Sequence, residues 1–284
     1  MNILKFKKIL VVSHDAGGAE VISSFIKKNN LKCFYKLSGP AIKIFKSKIK
    51  KIPTLKNKSK LDLIVTGTSL KNSNEIDSIK YAKLKKIYSI SFLDHWVNYK
   101  NRFVRNKKII LPDEMILGDR ISLNIAKKEF KDKKVKLKLK TNEYLKNLQK
   151  FKNNKSNNKI VYLSSNMDSV NYKCSDKYIL LRSITKISKF LTNKKINEII
   201  IRKHPSESSN KYKLIGRNIK KQRNIKVSID NSKNLSKTLS KAKYVFGHET
   251  MGLVVAKLLK KYTFNLKIKG IKTTIPPQFI SKYI

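Results

Sequence analysis

All four histidines of the chain lie in short polar segments that directly follow apolar runs. In an open α/β sheet, ligands bind beyond the carboxyl ends of the strands. Histidines at four predicted strand ends therefore indicate a ligand site to which both halves of the chain contribute. The alternative is that each histidine caps a turn or packs beneath one. The four residues are His14, His95, His204 and His248.

The segment 13–19 joins the first apolar run to a helical pattern, and it contains His14, Asp15, Gly17 and Gly18. Paired glycines let a backbone approach a ligand closely, and the free amides at a helix N-terminus favour an anion. The spacing is not Gly-x-Gly-x-x-Gly, so a dinucleotide site is not indicated. The alternative is a tight turn in which Asp15 is the helix N-cap.

A basic segment follows the apolar run 199–201 in the second half of the chain. It reads Arg202, Lys203, His204 and Pro205. Basic side chains at a strand end can bind phosphate oxygens, so we expect an anionic group here. A histidine and a proline at the start of a helix can also form a simple cap, which is the alternative.

A second segment of this kind follows a short apolar run and opens a helix. Thr250 is expected near the N-terminal amides of that helix, where a phosphate would bind. Glu249 has the chemistry to accept hydrogen bonds from a ribose, and His248 precedes both residues. The alternative is that the segment only caps the helix.

A third segment, in the first half, contains Asp94, His95 and Trp96. Asp94 and His95 are candidates for orienting a base or an acceptor hydroxyl. Trp96, the single tryptophan, either stacks on a sugar ring or belongs to the core. The histidines are isolated and the two cysteines are far apart, so no metal site is predicted. The absence of Gly-x-Ser-x-Gly argues against a serine hydrolase.

Strand and helix patterns alternate through both halves, which predicts parallel sheets with helices on both faces. The polar segment 152–158 interrupts the alternation and is the candidate linker. We therefore predict an α/β fold of two Rossmann-like domains facing a cleft, over residues 1–151 and 159–284. The predicted strands are 8–13, 32–37, 61–66, 86–93, 114–117, 160–163, 198–202, 225–228, 244–246 and 262–265. The predicted helices are 20–28, 41–48, 75–83, 120–130, 178–191, 234–240 and 251–259.

The formal net charge of +48 comes almost entirely from lysines scattered along the chain, with only seven arginines. This pattern indicates codon bias more than a nucleic-acid interface, which would concentrate arginine and aromatic residues on one face. The charge would still attract anionic substrates and lipid surfaces. With no apolar run of membrane-spanning length, no signal-peptide pattern and two isolated cysteines, we expect a cytoplasmic protein with peripheral contact at the inner face of the membrane.

The layout of the chain resembles the two-domain GT-B glycosyltransferases of bacteria, and the second half carries most of the resemblance. The segment 199–205 resembles the His-Pro motif of sialyltransferases, capsular Kdo transferases and wall-polymer glycerophosphotransferases. The segment 244–259 resembles their strand, Ser/Thr turn and apolar helix. The resemblance implies that His204 and Thr250 contact a nucleotide phosphate, and that Asp15 is the base acting on the acceptor.

The resemblance implies a metal-independent glycosyltransferase that needs no cofactor. It would use a nucleotide-sugar and a glycan or lipid-linked acceptor to build a surface polysaccharide or glycolipid. Positive groups and helix dipoles would stabilise the departing phosphate, with Arg202 and Lys203 as candidates. Two alternatives stay open: a nucleotide-sugar 2-epimerase of the same architecture, and a non-catalytic basic protein that binds nucleic acid or anionic membrane.

Overall fold

The computed structural model describes residues 3–55, 60–70, 72–148, 158–165, 176–186, 188–204, 225–230, 234–268 and 273–284, with residues 207, 212, 217 and 232. The chain divides into an N-terminal unit, Met1–Lys146, and a C-terminal unit, Asn147–Ile284. The predicted linker, 152–158, lies outside the described residues except for residue 158. The predicted boundaries at 151 and 159 therefore stay a prediction.

The N-terminal unit contains a six-stranded sheet in which all neighbouring strands are parallel, with the order β2-β1-β3-β4-β7-β8. A two-stranded antiparallel hairpin, β5-β6, interrupts the alternation between β4 and β7. The strands are β1 (Ile9–Ser13), β2 (Cys33–Leu37), β3 (Leu63–Thr66), β4 (Tyr88–Leu93), β5 (Val104–Arg105), β6 (Lys108–Ile109), β7 (Glu114–Leu117) and β8 (Lys136–Leu139).

Helices cover both faces of this sheet because the strands are apolar on both sides. In β1, Ile9 and Val11 pack in one core cluster, whereas Leu10 and Val12 pack in another. This separation follows from the two-residue period of a strand. The helices are α1 (Ala16–Lys28), α2 (Pro40–Lys48), α3 (Asn74–Leu84), α4 (Arg120–Glu129) and α5 (Glu143–Leu148).

The C-terminal unit repeats the plan with a second six-stranded parallel sheet, in the order β11-β10-β9-β12-β13-β14. Its strands are β9 (Lys159–Leu163), β10 (Glu198–Arg202), β11 (Lys226–Ile229), β12 (Tyr244–Gly247), β13 (Tyr262–Asn265) and β14 (Lys282–Tyr283). The described helices are α6 (Asp176–Lys186), α7 (Ser188–Asn193), α8 (Leu235–Leu239) and α9 (Met251–Leu258).

Each sheet has a point at which the chain order reverses. In the N-terminal sheet β1 lies between β2 and β3, and in the C-terminal sheet β9 lies between β10 and β12. The crevice beyond such a reversal is the usual ligand site of open α/β sheets. The loops after β1 and β3, and those after β9 and β12, therefore border the expected ligand sites of the two sheets.

The structure differs from the sequence-based expectation mainly at the sheet edges. The edge strands β8 and β14 were not predicted, because both are short and contain lysine, and neither has a continuous apolar run. Helix α1 begins at Ala16, before the predicted residue 20, although glycine disfavours helices. The predicted helix 178–191 corresponds to α6 and α7, which lie on either side of the undescribed residue 187.

No helix within the described parts of the chain combines the length and the hydropathy that crossing a membrane requires.

Candidate functional site

The predicted residues of the N-terminal unit lie where its sheet reverses. His14 and Asp15 follow β1 directly, and residues 67–69 follow β3, which is hydrogen-bonded to β1. Asp94 follows β4, the next strand along. The structure therefore brings together three segments that are far apart in sequence, and all three end at the same edge of one sheet.

Asp15 occupies the N-cap position of α1, but its side chain makes no capping hydrogen bond. It is hydrogen-bonded to the Ser69 side chain and is 47% exposed. Partial burial is the main cause that raises the pKa of this carboxyl, and the Asp94 carboxylate raises it further. The bond from Ser69 and the charges of His14 and Arg102 act in the opposite direction. A carboxyl with a raised pKa is suited to accept and return a proton.

Asp94 lies against the first turn of α1, in a space that a side chain at position 17 would fill. A Cβ added to Gly17 would lie 1.8 Å from Oδ2 of Asp94. A Cβ added to Gly18 would lie 3.4 Å from Cα of Gly67. The paired glycines therefore admit the Asp94 carboxylate and a neighbouring backbone. The approach of a ligand to these glycines stays a prediction.

Arg102, which the sequence analysis did not select, adds a positive charge to this edge. Its Nη1 lies 3.9 Å from Oδ1 of Asp94. It donates hydrogen bonds to the main-chain oxygen of Thr68 (2.5 Å) and, through Nε, to that of Val97 (3.2 Å). The guanidinium is 10% exposed, so it holds two loops together and faces Asp94. An arginine in a chain dominated by lysine was the available signal.

Glu75 was also missed, and it is the most deeply buried carboxyl at this edge. It lies in the first turn of α3 and is 2% exposed. Its Oε1 accepts a hydrogen bond from the His14 main-chain N–H (3.1 Å), and its Oε2 accepts one from that of Ser69. Burial is the main cause that raises the pKa of Glu75 to about 8, while the two N–H bonds act to lower it.

The His14 ring is held by contacts on two sides. Its Nδ1 is 2.9 Å from Oγ of Ser38, and its Nε2 is 3.8 Å from Oδ1 of Asp15. Gly39 has a φ of +54°, and a Cβ there would lie 2.5 Å from Cε1 of His14. Position 39 therefore needs a glycine, both because of its positive φ and because a larger residue would collide with the His14 ring. These contacts hold the ring beside Asp15.

His95 and Trp96 lie in the loop after β4, and hydrogen bonds within the N-terminal unit hold both residues. Trp96 is 6% exposed, and its Nε1 donates to both carboxylate oxygens of Asp119 (3.1 and 3.3 Å). The main-chain N–H of Trp96 donates to Nδ1 of His95 (3.1 Å), and Tyr99 Oη donates to the His95 main-chain oxygen (2.6 Å). The indole is thus packed inside the unit, as in the second of the two alternatives for Trp96.

In the C-terminal unit the predicted residues also lie at strand ends around the reversal. Lys203 and His204 follow β10, and His248, Glu249 and Thr250 follow β12. Pro205 lies outside the described residues. Strands β10 and β12 both pair with β9, so the predicted nucleotide residues flank the end of one central strand.

Arg202 does not take part in this set, although we expected it to meet a phosphate. Its Nη1 donates to Oδ2 of Asp230 (2.7 Å) and to Oγ1 of Thr238 (2.6 Å). Burial would raise the pKa of Asp230, but hydrogen bonds from Lys241, Thr238, Ser232 and Arg202 outweigh it and lower the pKa to about 2. The Arg202 guanidinium is committed to an internal network, because the Asp230 side chain is fully buried.

His204 belongs to a second hydrogen-bonded set near the end of β9. Its main-chain N–H donates to Oε2 of Glu207 (2.8 Å). Tyr212 Oη donates to Oγ of Ser164 (2.6 Å) and to Oε1 of Glu207 (3.3 Å). These bonds connect the loop after β10 with Ser164, the first residue after β9.

His248 is 1% exposed and its tautomer follows from its contacts. Nδ1 lies 2.7 Å from the main-chain oxygen of Leu266. A carbonyl oxygen can only accept, so Nδ1 carries a hydrogen. Among the described residues, none forms a hydrogen bond with Nε2. This nitrogen has the chemistry to accept from a hydroxyl or, when protonated, to donate to an anion.

Glu249 and Thr250 differ in what their side chains offer. Glu249 has a φ of +43°, and its carboxylate accepts hydrogen bonds from Asn265, from Thr274 N–H (2.6 Å) and from Ile275 N–H (3.1 Å). Thr250 is the N-cap of α9, and its side chain accepts from Gly252 N–H (3.3 Å). The Glu249 carboxylate thus anchors the segment 273–275, while Thr250 lies at the helix N-terminus, a place that favours anions.

The two units therefore carry different chemistry. The N-terminal edge holds Asp15, Glu75 and Asp94 with His14 and Arg102, a set suited to proton transfer. The C-terminal edge holds histidines and a helix N-terminus, a set suited to an anion. Among the described residues, no group of three or more His, Cys, Asp or Glu side chains has the arrangement to hold a metal ion.

No protein-family model and no curated protein matches the sequence. Solved structures do match in fold. UDP-GlcNAc 2-epimerase from Methanocaldococcus jannaschii, in complex with UDP-GlcNAc and UDP, has a TM-score of 0.65 at 14% identity, over 97% of this chain and 88% of that one. An S. aureus MnaA–UDP co-structure has 0.64 at 10%, over 92% and 79%.

MurG from Acinetobacter baumannii has a TM-score of 0.50 at 8% identity, over 93% of this chain and 80% of that one. These likenesses, together with the two parallel sheets, confirm the predicted α/β fold with two Rossmann-like units of the GT-B type.

Proposed function

We propose that this protein is an enzyme that acts on a nucleotide-activated sugar. The observation that carries the proposal is the division of chemistry within one chain. An acid–base set lies at the reversal of one sheet, and an anion-binding set lies at the reversal of the other. The structural neighbours that were solved with UDP or UDP-GlcNAc support the nucleotide-sugar class.

The C-terminal unit is the proposed nucleotide site. The amides at the start of α9, beside Thr250, would bind a phosphate group. His248, whose Nε2 is buried, comes two residues before this N-cap in the sequence. Lys203 and His204 would supply positive charge as the nucleotide departs. The Glu249 carboxylate already accepts bonds from the segment 273–275, so a ribose contact would have to share it.

The N-terminal unit is the proposed site of proton transfer, with Asp15 as the base. Asp15 is about half exposed, so a substrate hydroxyl can reach it. Its pKa is raised toward the neutral range, in which a general base works best. Among the predicted residues, Asp94 and His14 act electrostatically on the Asp15 carboxyl. The side chains of His95 and Trp96 would shape the loop beside them.

A glycosyltransferase is the first form of the proposal. Asp15 would remove a proton from an acceptor hydroxyl while that oxygen bonds to the sugar and the nucleotide phosphate leaves. The motif resemblance in 199–205 and 244–259 supports this form. A glycan or lipid-linked acceptor, a cytoplasmic location, salt-sensitive peripheral membrane contact and independence of metal and cofactor are further predictions of this form.

A nucleotide-sugar 2-epimerase is the second form, and a specific observation favours it. The structure places two carboxyl groups, Asp15 and Asp94, at one edge of the sheet, close enough that Asp94 raises the pKa of Asp15. Inversion at a sugar carbon requires a proton to leave and to return, which uses more than one acid–base group. The epimerase structures in the comparison support the same form.

The test is turnover of a panel of CMP-, CDP-, UDP- and GDP-sugars, followed by NMR in D₂O with and without acceptor glycans. A transferase consumes donor only with an acceptor, whereas an epimerase incorporates deuterium into the sugar ring without one. We expect Asp15→Asn to lower the rate about 10²–10⁴-fold with nucleotide affinity unchanged. Asp77→Asn, an exposed change on α3, is the control and should retain the wild-type rate.

Turnover of no donor, under either condition, would contradict the proposed class. Full activity of Asp15→Asn would instead move the base to Asp94 or His95, which end a neighbouring strand.

A further inference from the structure

Glu75 connects two loops that are distant in sequence. Its Oε1 accepts from the N–H of His14, 61 residues away, and its Oε2 accepts from the N–H of Ser69. The first bond holds the turn after β1, and the second holds the loop after β3. A single buried carboxyl therefore sets the relative position of the two loops at the sheet reversal.

The side chains of Asp15, in the first loop, and Ser69, in the second, contact each other. Asp15 is covalently next to His14, and the side chain of Ser69 is hydrogen-bonded to the Asp15 carboxylate. Glu75 therefore holds the backbone of both loops that meet at the hydrogen bond between Asp15 and Ser69. A change in its position would alter the contact between Asp15 and Ser69.

The space around Glu75 leaves its carboxyl little freedom. A Cβ added to Gly67 would lie 2.6 Å from Oε1 of Glu75 and 3.6 Å from Oγ of Ser13. The buried glycine at the end of β3 is therefore required for the carboxyl to reach the His14 amide.

Neutral and negative groups surround this carboxyl. The charged groups that act on it are the carboxylates of Asp15, after β1, and Asp94, after β4. His14 contacts Asp15, and Arg102 faces Asp94. Burial, aided by the two carboxylates, raises the pKa of Glu75 to about 8. Glu75 is therefore mostly protonated at neutral pH.

We propose that Glu75 is a positioning residue that fixes Asp15 and the Ser69 hydroxyl in their working geometry by holding the His14 and Ser69 amides. This role rests on the proposed function of Asp15 as the base. Glu75 itself is buried away from any substrate, so it acts through the two loops.

The test is a titration of the side-chain carboxyl carbons by NMR on the full chain. In the wild type, the Asp15 signal should show its own inflection and a second, smaller one near pH 8, when Glu75 ionises. In Glu75→Gln the second inflection should disappear. The main inflection should move to higher pH, because the bond from Ser69 that favours the ionised form is weakened.

Two further variants make the titration specific. Ser69→Ala should raise the main inflection of Asp15 while leaving the one near pH 8 in place. Asp77→Asn lies in the same helix as Glu75 but is about half exposed, and it should leave both inflections unchanged.

Turnover provides the second measurement. With the donor found in the panel, Glu75→Gln should lower kcat about 10- to 10²-fold, since small misplacements of a catalytic group have effects of this size. The Kd of the nucleotide should not change. An unchanged Asp15 titration in Glu75→Gln would overturn the proposal. Because these NMR results need no substrate, they separate failure of this inference from failure of the proposed function.

Discussion

The first turn of α1 provides a matched pair of substitutions. An alanine Cβ at position 17 would lie 1.8 Å from Oδ2 of Asp94, whereas one at position 18 would lie 3.4 Å from its nearest neighbour. The two glycines are adjacent in one helix, and neither has a positive φ. Gly17→Ala and Gly18→Ala therefore differ almost only in whether the new methyl group collides with Asp94.

The expected magnitudes follow from this difference. Replacing glycine by alanine inside a helix stabilises by about 0.8–1 kcal/mol, a gain that both variants share. Overpacking costs about 1–3 kcal/mol, and only Gly17→Ala incurs it, either by turning Asp94 away from Arg102 or by shifting α1. Gly17→Ala should therefore be about 1–3 kcal/mol less stable than Gly18→Ala.

Trp96 makes the comparison measurable in one unit. It is the single tryptophan of the chain and is buried in the N-terminal unit, so its fluorescence reports the unfolding of that unit. With a urea dependence of about 2 kcal/mol per molar, the midpoints of the two variants should differ by roughly 0.5–1.5 M. Equal midpoints would refute the placement of the Asp94 carboxylate against Gly17.

Two further predictions concern the C-terminal unit. Asp230 has a pKa of about 2, below its usual 3.8, so its ionised form stabilises the fold above about pH 4 and this contribution is lost as the pH falls through 2. Asp230→Asn should therefore lose less stability than the wild type between pH 4 and pH 2 in urea titrations, and an equal loss would contradict the network. Glu249→Gln should speed amide hydrogen exchange at Thr274 and Ile275 about tenfold, with exchange in β9 unaffected; unchanged exchange at these two residues would mean that Glu249 does not anchor them.

Strand ends could be predicted from the sequence because buried parallel strands are continuous apolar runs. The strands Glu114–Leu117, Glu198–Arg202 and Tyr262–Asn265 have the predicted bounds. His14, Asp15 and Asp94 lie at strand ends as predicted, since a residue that directly follows such a run lies at the edge of the sheet. Which loops are neighbours depends on strand order, and the sequence does not contain that information directly.

Glu75 and Arg102 could not be predicted from the sequence, because their contacts depend on the tertiary fold. Glu75 lies in a helix with ordinary amphipathic spacing, and only the pairing of β1 with β3 brings it under His14. Arg102 acts through the fold of the loop after β4. The opposite error occurred at Arg202, whose partner Asp230 follows the neighbouring strand β11. The sequence does not show that Arg202 already has an acidic partner, so Arg202 was predicted to be available to a phosphate group.

The proposed class of enzyme requires that the C-terminal unit bind a nucleotide, and this is tested most directly by thermal unfolding with CMP, CDP, UDP and GDP. At a concentration about a hundred times its Kd, a bound nucleotide should add about 2.7 kcal/mol of stability. We expect at least one of the four to do so for the wild type, and the effect to be reduced in His204→Ala and Thr250→Ala but retained in Asp15→Asn. Stabilisation by none of the four would contradict the account, and so would stabilisation that both C-terminal variants retain in full.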